Sequence, residues 1–371
     1  MRRFELIAPC HFGMESVLKR EITDLGYDIT EVADGRVTFF GDEEALCRAN
    51  IFLRTAERIL IKIGSFHAET FEELFQGTKN LPWEEYIPKD GKFWVAKAAS
   101  VKSKLFSPSD IQSIMKKAMV ERLKAQYEIS WFPEDGENFP VRVFLMKDEV
   151  TVGLDSTGES LHKRGYRKLT AKAPIAENLA AALIELTPWN AGRILVDPFC
   201  GSGTFPIEAA MIALNRAPGL NRSFMAQKWS CVPETIWQQA RTEALDREYR
   251  GEYHILGSDI DPASLEIAQQ NARKAGVGKL IEFREADATK MSLPTDKGLL
   301  VCNPPYGERM LEQRSAQRLY GALGRHLKYA DGWKKYIISS EPEFEHYFGR
   351  QAVKKRKLYN GRLQCNVYMY Y

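Results

Sequence analysis

The chain has 371 residues, of which 44% are hydrophobic and 27% charged, and this balance excludes a disordered or fibrous protein. The length exceeds the usual size of one hydrophobic core and predicts two or three domains. The net charge of +3 is unevenly distributed: residues 1–160 carry −6, and the remainder carries +9. A nucleic-acid partner would therefore be held mainly by the second half, although ordinary surface charge is an alternative explanation.

The sequence also limits where the protein acts and what it binds. No apolar run is long enough for a signal peptide or a membrane span, so we expect a cytoplasmic protein. The six cysteines lie far apart without C-x-x-C spacing, which predicts reduced thiols and neither a zinc site nor disulfides. We expect no metal, and a monomer is the default expectation.

The first half predicts two successive α+β units. Residues 1–65 show the order strand, amphipathic helix, two strands, helix and strand, which is typical of a ferredoxin-like unit. Residues 66–160 predict a second unit. Its elements are a helix over 69–77, a strand over 93–100, a long helix over 110–127 capped by Ser109 or Asp110, and two strands joined by a hairpin turn at Lys147 and Asp148.

A basic segment, residues 161–173, joins the two halves. Tyr166 lies there among cations, a combination that suits RNA binding. A plain solvated linker is the alternative interpretation. The predicted RNA-binding residues are Lys163, Arg164, Arg167 and Lys168.

Residues 174–371 alternate helices with short, continuously apolar strands, which predicts a parallel sheet covered by helices on both faces. This is a Rossmann-like α/β domain. Asn360 and Gly361 stand between two strand-like runs near the end and predict an antiparallel hairpin. The parallel strands are expected at 193–199, 253–260, 281–287, 298–305 and 335–340.

Three predicted strand ends carry residues suited to a nucleoside cofactor. Asp197 ends the first strand, and Gly201 and Gly203 after it allow a ligand to approach the backbone closely. The motif lacks a third glycine and a Gly-Lys-Ser/Thr, which disfavours a nucleoside triphosphate. Asp259 ends the second strand, where a carboxylate can accept two ribose hydroxyls, and Asp287 ends the third, where it suits an adenine amino group. Helix capping is the alternative role for both, as it is for Asp261.

The most specific motif is Asn303-Pro304-Pro305-Tyr306, which follows an apolar strand. An exocyclic amine of a base is a poor nucleophile because its lone pair is delocalised into the ring. The side-chain oxygen of Asn303 and the carbonyl of Pro304 are candidates to accept both amine hydrogens and so localise that lone pair. Tyr306 would stack on a base swung out of its helix or loop. The motif therefore predicts catalysis at an amine, with a structural Pro-Pro turn as the alternative.

The set DPFCGSGT, GSDIDP, READ and NPPYGER, in this order, resembles the amino-methylating class I methyltransferases. The chain is most similar to the bacterial 23S ribosomal RNA guanine-N2 methyltransferase family, in which a THUMP domain precedes the catalytic domain. The resemblance covers nearly the whole chain, with 1–65 as the ferredoxin-like lead-in, about 66–160 as THUMP and 165–371 as the catalytic domain. It extends to one catalytic domain, whereas bifunctional members carry a second, so a single modification is expected.

This resemblance implies an S-adenosylmethionine cofactor and a guanine-N2 target in RNA, most simply 23S ribosomal RNA. It places cofactor contacts at Pro174, Asp197, Gly201, Gly203, Asp259 and Asp287, and target-base contacts at Asn303, Pro304 and Tyr306. Cys200 and Cys302 flank this site, but neither provides the Pro-Cys nucleophile of a cytosine-C5 mechanism.

Three other functions remain open from the sequence. They are the same chemistry on tRNA, adenine-N6 methylation of RNA or DNA, and a non-catalytic RNA-binding role. The full set of cofactor and amine-binding residues argues against the last of these, because a binding-only module has no use for it.

Overall fold

The computed structural model describes residues 3–167, 175–190, 192–307, 310–361 and 363–371. The first unit has the predicted order of elements. The amphipathic helix buries Val17, Leu18 and Ile22 as its spacing indicates. The elements are β1 (Phe4–Pro9), α1 (Glu15–Asp24), β2 (Ile29–Ala33), β3 (Arg36–Gly41), α2 (Glu43–Phe52) and β4 (Leu60–His67).

The second unit continues the sheet of the first. Strand β4 pairs with β1 on one side and with β7 on the other, so the predicted boundary at residue 65 falls inside a shared strand. The sheet has seven strands in the order β2-β3-β1-β4-β7-β6-β5. The second unit comprises α3 (Phe71–Lys79), β5 (Lys92–Val101), α4 (Pro108–Tyr127), β6 (Asn138–Met146) and β7 (Glu149–Asp155).

Two local predictions in this unit have different outcomes. The hairpin between β6 and β7 is confirmed, with Lys147 and Asp148 at φ values of 54° and 66°, as a two-residue turn with positive φ at both positions requires. The predicted cap of α4 is wrong, because the helix begins at Pro108 and places Ser109 and Asp110 inside its first turn. Proline suits this first position because the amide proton that it lacks has no partner there.

The catalytic half contains a second seven-stranded sheet, ordered β10-β9-β8-β11-β12-β14-β13. The first five strands are parallel, and β14 is antiparallel to both of its neighbours, which confirms the predicted fold class. The strands are β8 (Leu195–Asp197), β9 (Ile255–Asp259), β10 (Ile281–Glu285), β11 (Gly298–Cys302), β12 (Trp333–Ser339), β13 (Lys354–Asn360) and β14 (Leu363–Tyr370).

Helices cover both faces of this sheet. The strand order reverses at β8, which lies between β9 and β11, and ligands of such sheets bind outside the carboxyl ends of the strands at the reversal. The helices of this half are α5 (Glu177–Glu185), α6 (Thr204–Ala213), α7 (Glu234–Asp246), α8 (Pro262–Lys274), α9 (Met310–His326) and α10 (Phe344–Phe348), of which α7 packs elsewhere.

The segment between α6 and β9 packs into the core of the N-terminal half. Helix α7 lies against α2, and the rings of Phe224 and Trp237 stack there at 5.1 Å. Trp229 stacks on Phe139 of β6 at 5.2 Å. Burial of these large apolar rings in one shared core stabilises a fixed relation between the halves.

The described part of the basic segment, 161–167, is not a solvated linker. Arg164 is buried, and its guanidinium donates to the carbonyls of Leu161 at 2.7 Å and Arg54 at 2.5 Å. Its charge lies 3.4 Å from the buried carboxylate of Glu208, which also accepts from the hydroxyl of Tyr166 at 3.0 Å. The prediction that Arg164 contacts RNA is therefore wrong, since this residue has its counter-ion inside the protein.

Candidate active site

A cleft of about 980 Å³ opens at the carboxyl ends of β8, β9, β10 and β11. It brings together seven of the residues that the sequence singled out, although these residues come from four separate strand ends. Parallel strands end at the same edge of a sheet, which explains why the motifs meet. The seven are Asp197, Gly201, Asp259, Asp287, Asn303, Pro304 and Tyr306.

The glycine turn forms one wall of the cleft. Gly201 has a φ of +51°, and a side chain built on it would meet nothing within 4 Å, so a ligand can lie directly over this backbone. Gly203 serves a different purpose, because it does not line the cleft. It has a φ of +84°, and a Cβ there would lie 3.0 Å from the Cβ of Ala268, so it permits close packing of α6 on α8.

Asp259 links this turn to the end of β9. Its carboxylate accepts from the backbone amide of Gly201 at 2.9 Å and from that of Asp261 at 3.0 Å. Asp261 caps α8 through the amides of Ala263 and Ser264, which confirms its capping alternative. Asp259 therefore does not cap α8, and it stays half-exposed on the cleft wall, where its remaining lone pairs face a ligand.

Asp287 contributes from the end of β10. It accepts from the backbone amide and the hydroxyl of Thr289, at 2.9 and 2.7 Å, and lies 3.4 Å from the ammonium of Lys290. Hydrogen bonding to Thr289 holds the pKa of this carboxyl below its ordinary value. The turn fixes the carboxylate at the cleft wall in its ionised form, so it can accept a hydrogen bond from a ligand amine.

Three titratable groups at or beside the cleft are buried within the protein, namely Asp197, Cys200 and Cys302. Asp197 is fully buried, and burial raises its pKa well above the ordinary value, while the amide of Phe199 donates to it at 3.0 Å. Burial likewise raises the pKa of the Cys200 and Cys302 thiols well above their ordinary values. A protonated thiol is a weak nucleophile, which supports the expectation that neither cysteine attacks a base.

The loop Asn303 to Gly307 forms another wall of the cleft. The hydroxyl of Tyr306 donates to the side-chain oxygen of Asn303. The hydroxyl of Tyr320 on α9 donates to the carbonyl of Pro305 at 2.7 Å. A Cβ on Gly307 would lie 2.5 Å from the backbone of Gln313, so the loop is packed directly on the start of α9. The acceptors of this loop are thus held rigidly.

Several cleft residues escaped sequence reasoning. Ile260 follows Asp259 and is 69% exposed, a position where an apolar side chain can pack on a purine ring. An apolar residue between two aspartates was a signal that could have pointed to it. Glu312 in the first turn of α9 also lines the cleft, although its sequence context marks it only as a residue suited to a helix start.

The remaining predicted residues lie at or beyond the margin of the site. Lys163 is exposed and pairs with Glu159 at 3.0 Å. Arg167 pairs with Glu177 at 2.9 Å and donates to the carbonyl of Ile175, a cleft residue, at 2.9 Å. These contacts hold the basic segment, at Arg167, beside the cleft. The other two predicted residues, Lys168 and Pro174, lie outside the described residues.

Two expected absences can be checked against the described ranges. No group of three or more potential metal-ligating side chains occurs among the described residues. Within the same ranges, no helix has the length and apolarity required to span a bilayer.

Three family matches cover most of the chain. The methyltransferase domain of the RMKL-like family matches residues 164–369, the RlmL ferredoxin-like domain matches 5–60, and the THUMP domain matches 68–155. Over all of its length the chain is 44% identical to "Putative RNA methyltransferase YpsC" of Bacillus subtilis strain 168, covering 97% of that protein.

Two solved structures extend this similarity over the whole chain. One, described as a predicted N6-adenine-specific DNA methylase from Listeria monocytogenes, is 44% identical with a TM-score of 0.92, and 97% of it is covered. The other, SMU.472, was crystallised in complex with SAH and is 43% identical with a TM-score of 0.91, and 98% of it is covered. The chain therefore belongs to the RMKL-like methyltransferases, which use S-adenosylmethionine and here carry ferredoxin-like and THUMP domains ahead of the catalytic domain.

Proposed function

We propose that this enzyme methylates the exocyclic N2 amine of a guanine in RNA, with 23S ribosomal RNA as its substrate in the cytoplasm. The observation that carries the proposal is the placement of Asn303 and Pro304 in the wall of the cofactor cleft. A THUMP domain and a relative named as an RNA methyltransferase support RNA as the substrate. The excess positive charge of the second half agrees with a polyanionic partner.

The residues of the cleft fit S-adenosylmethionine. Asp259 suits the ribose hydroxyls, Asp287 the adenine amine, and the open backbone at Gly201 leaves room for the amino-acid end. When bound, this cofactor supplies a methyl group already activated by a sulfonium. The protein needs neither a metal nor a covalent intermediate and has only to orient the amine for in-line attack.

Each residue of the loop from Asn303 to Gly307 that contacts the base has a separate role. Asn303 Oδ1 and the Pro304 carbonyl accept the two amine hydrogens, which localises the nitrogen lone pair for attack. Tyr306, released from Asn303, stacks on the base. In the structure the Tyr306 hydroxyl donates to the Asn303 side-chain oxygen. When the base enters, this hydrogen bond is replaced by one from the target amine to the same oxygen.

Glu312 favours guanine over adenine as the target. Its carboxylate is exposed on the cleft wall and makes no hydrogen bond or ion pair with the described residues. It adjoins the base-binding loop, because a Cβ on Gly307 would lie 2.6 Å from the Glu312 backbone. Guanine presents an N1–H donor beside its N2 amine, whereas the N1 of adenine is an acceptor that would be repelled by a carboxylate.

We expect Glu312→Ala to lower the rate of guanine methylation by about tenfold. This factor corresponds to the loss of one hydrogen bond to a charged acceptor. The check uses 2-aminopurine at the target position, which keeps the 2-amine but lacks N1–H. The wild type should prefer guanine over this analogue by about the same factor, and the variant should lose the preference. Glu312→Gln serves as the matched control, since its amide oxygen can still accept from N1–H. A parallel loss on both bases would contradict this role.

Asp259→Ala is expected to weaken S-adenosylmethionine binding by about 30-fold, because it removes acceptors of the ribose and releases the Gly201 amide. Calorimetric titration measures this effect. Asp261→Ala is the matched control, since that carboxylate caps α8 and is expected to leave cofactor affinity nearly unchanged. Unaltered affinity in the Asp259 variant would refute the ribose contact.

The test of the function as a whole is methylation of unmodified total RNA with labelled S-adenosylmethionine, followed by fractionation and nucleoside mass spectrometry. N2-methylguanosine in 23S ribosomal RNA is the expected product. Label in tRNA, or N6-methyladenosine in RNA or DNA, would replace the target but keep the amine chemistry. Cofactor binding without label in any fraction would favour a non-catalytic RNA-binding role instead.

A further inference from the structure

The free edge of the catalytic sheet is strongly cationic. Strand β13 pairs with β14 on one side, and no other described strand pairs with it. It begins with four consecutive basic residues, 354–357. From His346 to Tyr371 the chain has six Lys and Arg residues and no Asp or Glu. The positive charge of the second half is thus concentrated on this hairpin.

The basic side chains of this edge are poorly neutralised. Lys355 pairs with Glu345 at 2.7 Å, whereas Lys354 and Lys357 are exposed and have no ion pair with any described carboxylate. The Nη1 atom of Arg356 is buried and has no hydrogen-bond partner among the described residues. This buried atom does not face an external acceptor, so the exposed ammonium groups of Lys354 and Lys357 are the ones available to bind an anion.

The same hairpin adjoins the base-binding loop. Tyr306 packs against the hydrophobic cluster that includes Leu358 and Cys365, two residues of this hairpin. At the hairpin end, the ring of Tyr359 meets that of Phe12 at 6.4 Å, so the N-terminal unit borders this surface as well. An RNA strand that leaves the cleft beside Tyr306 would therefore lie against the cationic β13 edge.

We propose that the β13 edge, through Lys354 and Lys357, binds phosphates of the RNA strand that flanks the target base. This inference rests on the proposed function, because it supplies the backbone contacts for the same substrate. A base can enter the cleft only when swung out of its stack, and the strand beside it must then be held by phosphate contacts. Closely spaced cations beside an aromatic residue suit that task.

The test compares two double variants that each remove two exposed lysines. Lys354→Gln with Lys357→Gln alters the proposed surface, and Lys274→Gln with Lys279→Gln alters the opposite edge of the sheet, near β10. Affinity for an unmodified 23S ribosomal RNA transcript is measured at several KCl concentrations. We expect the hairpin variant to bind roughly tenfold more weakly near 0.1 M salt, with a salt slope smaller by about 1.5. The control should stay within about twofold of the wild type.

Calorimetric binding of SAH shows whether each variant retains a folded cleft. Lys354→Glu, a single change at an exposed position, provides a second reading and should weaken RNA binding in the same direction. Wild-type RNA affinity in the hairpin variants, or an equal loss in the control, overturns the inference while leaving the proposed function intact. The proposed function fails separately if the wild type itself neither binds nor methylates the RNA.

Discussion

Asn303→Ala should reduce RNA methylation by about 10³-fold while S-adenosylmethionine affinity stays close to that of the wild type. The side-chain oxygen of Asn303 stands at the end of the cleft and accepts a hydrogen bond from Tyr306, which shows that it is placed to accept from a donor in that position. Without it, one hydrogen of the target amine has no acceptor, and the lone pair stays in the ring. Single-turnover rates, with calorimetric cofactor titration, separate this effect from binding.

Two further variants make this experiment specific. Asn303→Asp retains an acceptor and should preserve far more activity than alanine. Tyr306→Phe removes the hydroxyl that competes for the Asn303 oxygen but keeps the stacking ring, so its rate should remain within about tenfold of the wild type. Near-normal methylation by the alanine variant would show that amine recognition lies elsewhere in the cleft.

Arg164→Ala should lower the free energy of unfolding by about 3–5 kcal/mol, because it leaves the carboxylate of Glu208 buried and unpaired. The change also removes the donor to the carbonyl of Arg54, which joins the basic segment to the N-terminal unit, and the donor to the carbonyl of Leu161 within the segment itself. Urea unfolding measures the loss. Lys163→Ala is the matched neighbour, and its exposed pair with Glu159 should cost less than about 1 kcal/mol.

RNA binding distinguishes the two roles that this arginine could have. The structural role predicts that folded Arg164→Ala protein, kept at low temperature, binds RNA as the wild type does. Undiminished stability together with weaker RNA binding would contradict it and restore a direct contact. For the neighbouring Lys163 we expect the opposite, namely a small effect on stability and an effect on RNA affinity, since an exposed cation can contact phosphate without contributing much to stability.

The motifs of the site could be predicted because each is local. An apolar strand followed by Asp197, Asp259 or Asn303 identifies a strand end, and strand ends of a parallel sheet converge on one cleft. The same pattern did not reveal Glu312. Its position depends on the packing of the Gly307 backbone against the start of α9, a contact that no spacing in the sequence expresses.

The capping ambiguity was likewise resolved only by geometry. Asp259 and Asp261 stand two residues apart after the same strand, and either could have capped α8. The side chain of Asp261 accepts from the amides of the first helical turn, whereas that of Asp259 turns back to the amide of Gly201. The strand ends at Asp259 and the helix begins at Pro262, so the chain changes direction between the two aspartates and their side chains reach different backbone amides.

The sequence by itself determined the class of each domain, the order of the elements and the methyltransferase class of the enzyme, because hydrophobic periodicity and strand-end motifs act over a few residues. Only the tertiary structure decided three other features: the single sheet shared by the two N-terminal units, the packing of α7 into their core, and the burial of Arg164. Each depends on a partner far along the chain, as Arg164 depends on Glu208. A cation with such a buried partner has the same local sequence signature as one that faces solvent.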